Sequence, residues 1–388
     1  MPAPLLFQYA FRICFLAAAV WAAAAMPLWL AAYSGWIVVS PAYGAMNWHA
    51  HEMVFGYAAM VICGFLFTAI PNWTGRPPVR GWALAILVLL WAIGRGAMLL
   101  ADTFGIAATA IADLSFLAAV LAVAAREIVV ARSWRSLPVL ALVGWLTLAN
   151  VWFHASAFMG GAADMAMRTA LGALIALIIL IGGRLAPNFT RNWLAKRNAT
   201  SLPAEFGRWD AAAIAAGVAG VAAWVAAPQG GVTAALAALA AALLARRLAR
   251  WRGWATWSEP LLLVLHLGYG FVPLGFALLA ISALRPDAVP GGVAIHAWAA
   301  GAVGTMTLAV MTRATLGHTG RALTATGATT AIYAAILTAA VSRVVAPLAG
   351  DLFLPLVLLS GACWTLAFLG FVAIYGPFAV APRLKPAS

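Results

Sequence analysis

The sequence predicts an all-α polytopic membrane protein: one domain over residues 1–388, a bundle of about twelve transmembrane helices with both termini cytoplasmic. Three observations predict it. The chain is 65% hydrophobic and only 9% charged, whereas a soluble domain is near half apolar and about a quarter charged. Apolar runs long enough to cross a hydrocarbon core of roughly 30 Å recur along the whole length. The basic residues fall in alternate connections between those runs, and no window of about forty residues is polar enough to fold as a separate soluble domain.

The spans are expected at 10–32, 49–70, 82–101, 104–125, 137–158, 165–186, 208–227, 231–249, 258–283, 291–312, 322–345 and 353–376. They are helices and not barrel strands, because the runs are unbroken where a barrel needs alternation. They also carry small packing residues such as Gly56, Gly64, Gly301 and Gly304. The first run contains Arg12 but no small-residue cleavage site, so it is expected to stay as a helix. The three cysteines, Cys14, Cys63 and Cys363, lie inside apolar runs without CxxC spacing, which points to packing.

Of the 23 basic residues, nineteen, from Arg12 to Lys385, fall on one side; Arg95, Arg168, Arg285 and Arg343 fall on the other. The positive-inside rule then places both termini in the cytoplasm, which requires an even number of spans. The formal charge of +13 is thereby explained by topology. It forms no single patch for nucleic acid.

Given this topology, His49, His51, His154 and His296 converge on the outer level of the membrane, His266 lies deeper, and His318 falls in an inner connection. Ionisable side chains at membrane depth are costly and mark functional sites by default. A single histidine is as readily a packing group; four at one depth are not. His49 and His51 stand two residues apart, about 200° around a helix, so they face nearly opposite ways and suit two adjoining sites better than one ion. Glu52 is a candidate proton relay, or a partner that fixes an imidazole tautomer. Imidazole suits iron, copper and zinc, and neutral histidines in an apolar bundle suit haem. HExxH is absent.

On the inner face, three strings mix Arg, Thr or Asn with Gly or Pro: residues 71–76, 182–191 and 311–321. Such strings cap helices, and they also suit an anion such as a haem propionate. Arg184 and Arg313 are the candidate anion contacts.

Residues 49–56 (HAHEMVFG), Gly182-Gly183-Arg184 with Pro187 and Phe189-Thr190, and the run from His296 through Gly304-Thr305-Met306 to the string 313–320 (RATLGHTG) resemble the NnrS family over essentially the whole chain. That resemblance implies a bacterial inner-membrane protein holding haem, of b type, and copper or a second metal, and acting in nitric oxide metabolism and stress during denitrification. Reduction of nitric oxide, in the manner of a nitric oxide reductase, is the expected chemistry. His49 or His51 is then the axial ligand, and His154, His266 and His296 are further cofactor and metal ligands. Glu52 carries protons, and electrons come from a periplasmic or quinol donor. A secondary transporter or haem or metal exporter is a competing reading, as is a non-catalytic nitric oxide scavenger or sensor.

Overall fold

The computed structural model describes residues 4–384, so Lys385 lies outside the described residues. Among these the chain forms helices and turns, with no strand. Among the described residues twelve helices are long and apolar enough to cross a membrane. They are α1 (Ala10–Tyr33), α2 (Ala45–Thr74), α3 (Trp82–Leu99), α4 (Ile106–Val130), α5 (Trp134–Phe158), α6 (Asp164–Ala195), α7 (Arg208–Ala226), α8 (Gly231–Ala249), α9 (Pro260–Leu284), α10 (Gly291–His318), α11 (Gly327–Leu348) and α12 (Gly350–Val380).

Every expected span has its helix, but several boundaries move. Helices α2, α6, α10 and α12 run well past their apolar cores, because backbone hydrogen bonding does not stop where hydropathy does. Helix α2 continues through Asn72, Trp73 and Thr74, and ends only where Gly75 turns left-handed at φ 69°, its N–H reaching Pro71 O at 2.9 Å. Helix α11 starts later than expected. Thr326 caps it, its hydroxyl oxygen accepting from the Thr329 N–H at 3.2 Å.

The chain divides into two compact units. The first comprises Met1–Ala173, Met311–Ala322 and Phe368–Ser388, and so holds α1 to α5, the start of α6 and the ends of α10 and α12. The second comprises Leu174–Val310 and Leu323–Ala367.

Three spans contain a π-helical stretch: Glu52–Ala58 in α2, Ile178–Gly182 in α6 and Ala297–Gly304 in α10. A π turn inserts a residue into the ladder and disturbs the carbonyls beside it. In lipid those carbonyls must find donors within the protein. Each stretch has one: Trp91 Nε1 donates to Gly56 O (2.8 Å), Arg247 Nη1 to Ile179 O (2.9 Å), and Thr307 Oγ1 to Val303 O (2.6 Å). The stretches in α2 and α10 each begin on the residue after a histidine, His51 and His296.

Charge placement follows the same constraint. Arg12, Arg95 and Arg247 are buried within spans and do not lie in connections, correcting the assignment of every basic residue to a loop. Each has a dedicated set of acceptors. Arg12 Nη1 binds the Ala379 and Ala381 carbonyls at 2.7 and 2.8 Å, satisfying the open end of α12. Arg247 ties three helices of the second unit together, pairing with Asp210 of α7 (3.2 Å), donating to Tyr269 Oη of α9 (3.2 Å) and reaching Gly183 O of α6 (3.2 Å).

Removing one partner of a buried pair leaves the other charge uncompensated, at about 3–5 kcal/mol. Arg247→Ala should therefore cost stability on that scale, measured by denaturant or thermal unfolding in detergent. Arg208→Ala, on a side chain at the start of α7, should change it by less than about 0.5 kcal/mol.

Candidate metal centre

Helices α2, α3, α4 and α5 of the first unit bring a polar cluster into its interior. Its members are His51 and Glu52 from α2, Arg95 from α3, Asp113 from α4, and Asn150 and His154 from α5. Tyr43, just before α2, closes it. None of these side chains faces solvent: His51 and Glu52 are fully buried, and Asp113 and His154 are 2% exposed.

Asp113 is the hub. Its Oδ2 accepts from Asn150 Nδ2 at 2.7 Å and lies 3.1 Å from His154 Nε2 and 3.2 Å from His51 Nε2. Its Oδ1 accepts from Arg95 Nη2. Arg95 Nη1 turns to Glu52, donating to both carboxylate oxygens at 2.5 Å. The fork thus bridges two carboxylates on different helices.

Two features show that the cluster wants another positive charge. Counted formally, Glu52 and Asp113 bring two negative charges and Arg95 one positive, leaving one negative in excess in an apolar surrounding. The ring nitrogens of His51 also meet only acceptors. Nδ1 lies 3.0 Å from Glu52 Oε1, while Nε2 faces both Asp113 Oδ2 and Asn150 Oδ1 (3.1 Å). A neutral imidazole has one N–H and one lone pair, so one face would set lone pair against oxygen. A proton or a cation at Nε2 removes the conflict.

The donors also fit a metal ion. His51, Asp113 and His154 each offer a ligand atom within 4.8 Å of the others. The Asp113 to imidazole separations of 3.1 and 3.2 Å are close to the roughly 3.3 Å between ligand atoms that bonds of about 2.0–2.1 Å give in a tetrahedral site. Two imidazoles and one carboxylate suit iron(II), zinc and copper(II). The surrounding groups orient the ligands: Glu52 accepts from His51 Nδ1–H, leaving Nε2 to bind, and Tyr43 Oη sits 2.8 Å from His154 Nδ1. Burial and the Asp113 charge push the Tyr43 phenol above its usual range, so it keeps its proton.

Gly56 makes the geometry possible. A Cβ there would stand 2.6 Å from Glu52 Oε2, 2.7 Å from Trp21 Nε1 and 2.9 Å from Arg95 Nη1.

The remaining expected site residues lie elsewhere. His49 stacks on Trp29 of α1, with ring centroids 4.1 Å apart, away from the face His51 uses. His266 and His296 belong to the second unit. His266 Nε2 pairs with Thr190 Oγ1 at 2.8 Å, and its Nδ1 is buried without a hydrogen-bond partner. His296 Nδ1 donates to Gly292 O at 2.7 Å, which leaves Nε2 as an unprotonated ligand atom. That is the tautomer an axial haem ligand needs. Arg184 is exposed and Arg313 half-buried. Thr315 and Thr319, in the same inner string as Arg313, spend their hydroxyls on helix carbonyls at 2.7 and 2.5 Å.

Asp113, Asn150, Arg95 and Tyr43 were not among the expected site residues. Asp113, Arg95 and Asn150 carried a signal, being ionisable or strongly polar groups inside apolar runs. Tyr43 carried none.

Fold and cluster together define a polytopic helical membrane protein with a buried, metal-competent polar centre. The chain belongs to the NnrS family: the family's profile, described as NnrS protein, matches residues 5–383. No curated protein and no solved structure matches the chain. Membership links it to the response to nitric oxide.

Gly56→Ala should displace the Glu52–Arg95 pair and destabilise the protein by about 1–3 kcal/mol. Gly96→Ala, inside α3 with nothing within 4 Å of the added methyl, should instead raise stability by about 0.5–1 kcal/mol, the usual gain on replacing a helix-interior glycine. Unfolding of the two variants side by side checks it.

Proposed function

We propose that this protein disposes of nitric oxide, or a similar small gas, by reduction at a metal centre held by His51, Asp113 and His154, in the bacterial inner membrane. The observation that carries the reading is the negative excess around a preformed pair of imidazoles and a carboxylate, within a family tied to nitric oxide. A redox-active ion in that position would supply a coordination site for the gas and a route for electrons, from quinol or a periplasmic donor.

The chain's own residues have defined tasks. Arg95 holds Glu52 and Asp113 in register, so that Asp113 keeps Oδ2 turned to both imidazoles. Glu52 holds the His51 Nδ1 proton, and in this reading it is the proton carrier. Tyr43 fixes the His154 tautomer, and the packed walls exclude water. In the second unit, His296, with its Nε2 open, is the residue suited to hold haem.

Protein purified from its native membrane should carry a transition metal that His51→Ala, Asp113→Ala and His154→Ala each remove. His318→Ala, at an exposed ring stacked on Phe11, should leave it in place. Tyr43→Phe should weaken metal retention about 10–100-fold, as loss of an outer hydrogen-bond partner does. Sustained anaerobic nitric oxide consumption with an added donor supports reduction, whereas uptake that stops at one equivalent supports scavenging. Absence of both bound metal and a Soret band, with saturable solute movement in proteoliposomes, overturns the proposal in favour of a transporter.

A further inference from the structure

Cys14 of α1 and Cys63 of α2 are both fully buried, and their Sγ atoms lie 3.9 Å apart as free thiols. The residues are 49 positions apart in sequence, so the contact is tertiary. Its cause is the residue next to Cys63. At Gly64 an added Cβ would stand 2.9 Å from Cys14 Cβ and 2.8 Å from the Phe15 ring. The two helices therefore approach closely at the level of the two thiols.

We propose that Cys14 and Cys63 form a redox-active dithiol that closes to an intramembrane disulfide joining α1 to α2. A disulfide bond is about 2.05 Å long, so closure moves the sulfurs by roughly 2 Å in total, within the reach of side-chain rotation. The step balances with a two-electron oxidant dissolved in the membrane, such as a quinone. One S–S bond forms, two S–H bonds break, and two protons and two electrons convert the quinone to quinol. Burial selects the oxidant: with both thiols fully enclosed, a charged water-soluble disulfide such as oxidised glutathione is excluded, and the proposal assigns the step to a small lipid-soluble molecule. This site is separate from the metal centre and stands whether or not that centre binds metal.

The test uses the intact protein in lipid nanodiscs, treated with a short-chain quinone or with diamide, then denatured and its free thiols counted. The protein has three cysteines. Free thiols should fall from three to one, peptide mapping should join Cys14 to Cys63, and dithiothreitol should reverse the change. Cys363→Ser should still form the bond, while Cys14→Ser and Cys63→Ser should each abolish it. Oxidised glutathione should leave the pair reduced. Cys14 and Cys63 remaining free under diamide while Cys363 reacts would overturn the proposal, as would a crosslink only between two copies of the chain through Cys363.

Discussion

The Arg95 guanidinium, bridging Glu52 of α2 and Asp113 of α4, is the interaction on which the first unit's interior depends. In lipid an unpaired ion costs several kcal/mol, and a pair holds only where geometry and extra hydrogen bonds repay desolvation. Here the extra bonds come from Asn150, His154 and His51. Four spans are thus held by one connected polar network, and no member can be removed without stranding another. A fully satisfied network fixes a single packing of its helices, whereas a partly satisfied one does not. Two requirements stay open: Arg95 Nε has no hydrogen-bond partner, and His51 meets acceptors on both sides, where a cation would complete the coordination. The polar interior that organises the helices is therefore also the part of the molecule equipped for chemistry.

Hydropathy and charge made the twelve spans readable because crossing a bilayer restricts composition over some twenty residues at a time. The ends were less readable. Helix α2 stops at a left-handed glycine and α11 starts at a threonine cap, both local backbone events beyond the apolar run. Positive-inside counting treats every arginine as a loop residue, and it therefore placed Arg95 in a connection when burial and two carboxylates hold it inside α3. In the candidate site, His51, Glu52 and His154 stood out as ionisable groups at membrane depth, and the two-residue spacing separated His49 from His51 as the helix geometry requires. That Asp113 rather than a further histidine would complete the set was not readable. It depends on α4 packing against α5, and sequence separation carries no sign of that contact.

The π-helical stretches extend the same logic to the backbone. A widened turn in lipid persists only where a side chain satisfies its carbonyls; Thr307 does so for α10 from the same helix. Trp91 serves α2 from α3, and Arg247 serves α6 from α8. The irregular backbone and its donor are one unit. Because the stretches in α2 and α10 begin immediately after His51 and His296, the irregularity sets the register of the helix turns that follow those two residues.

Gly56 and Gly64 lie eight residues apart on α2, two helical turns or roughly 12 Å along the axis, and both face α1: Gly56 meets Trp21, and Gly64 meets Cys14 and Phe15. A spacing of 4n places both on one ridge, the kind that lets helices pack at close range. The Glu52–Arg95 pair at one level and the Cys14–Cys63 thiols at the other depend on that single approach of α1 to α2. A covalent bond at the thiol level would limit how far α1 can separate from α2 at the level of Gly56, where Trp21 sits beside the Arg95 guanidinium.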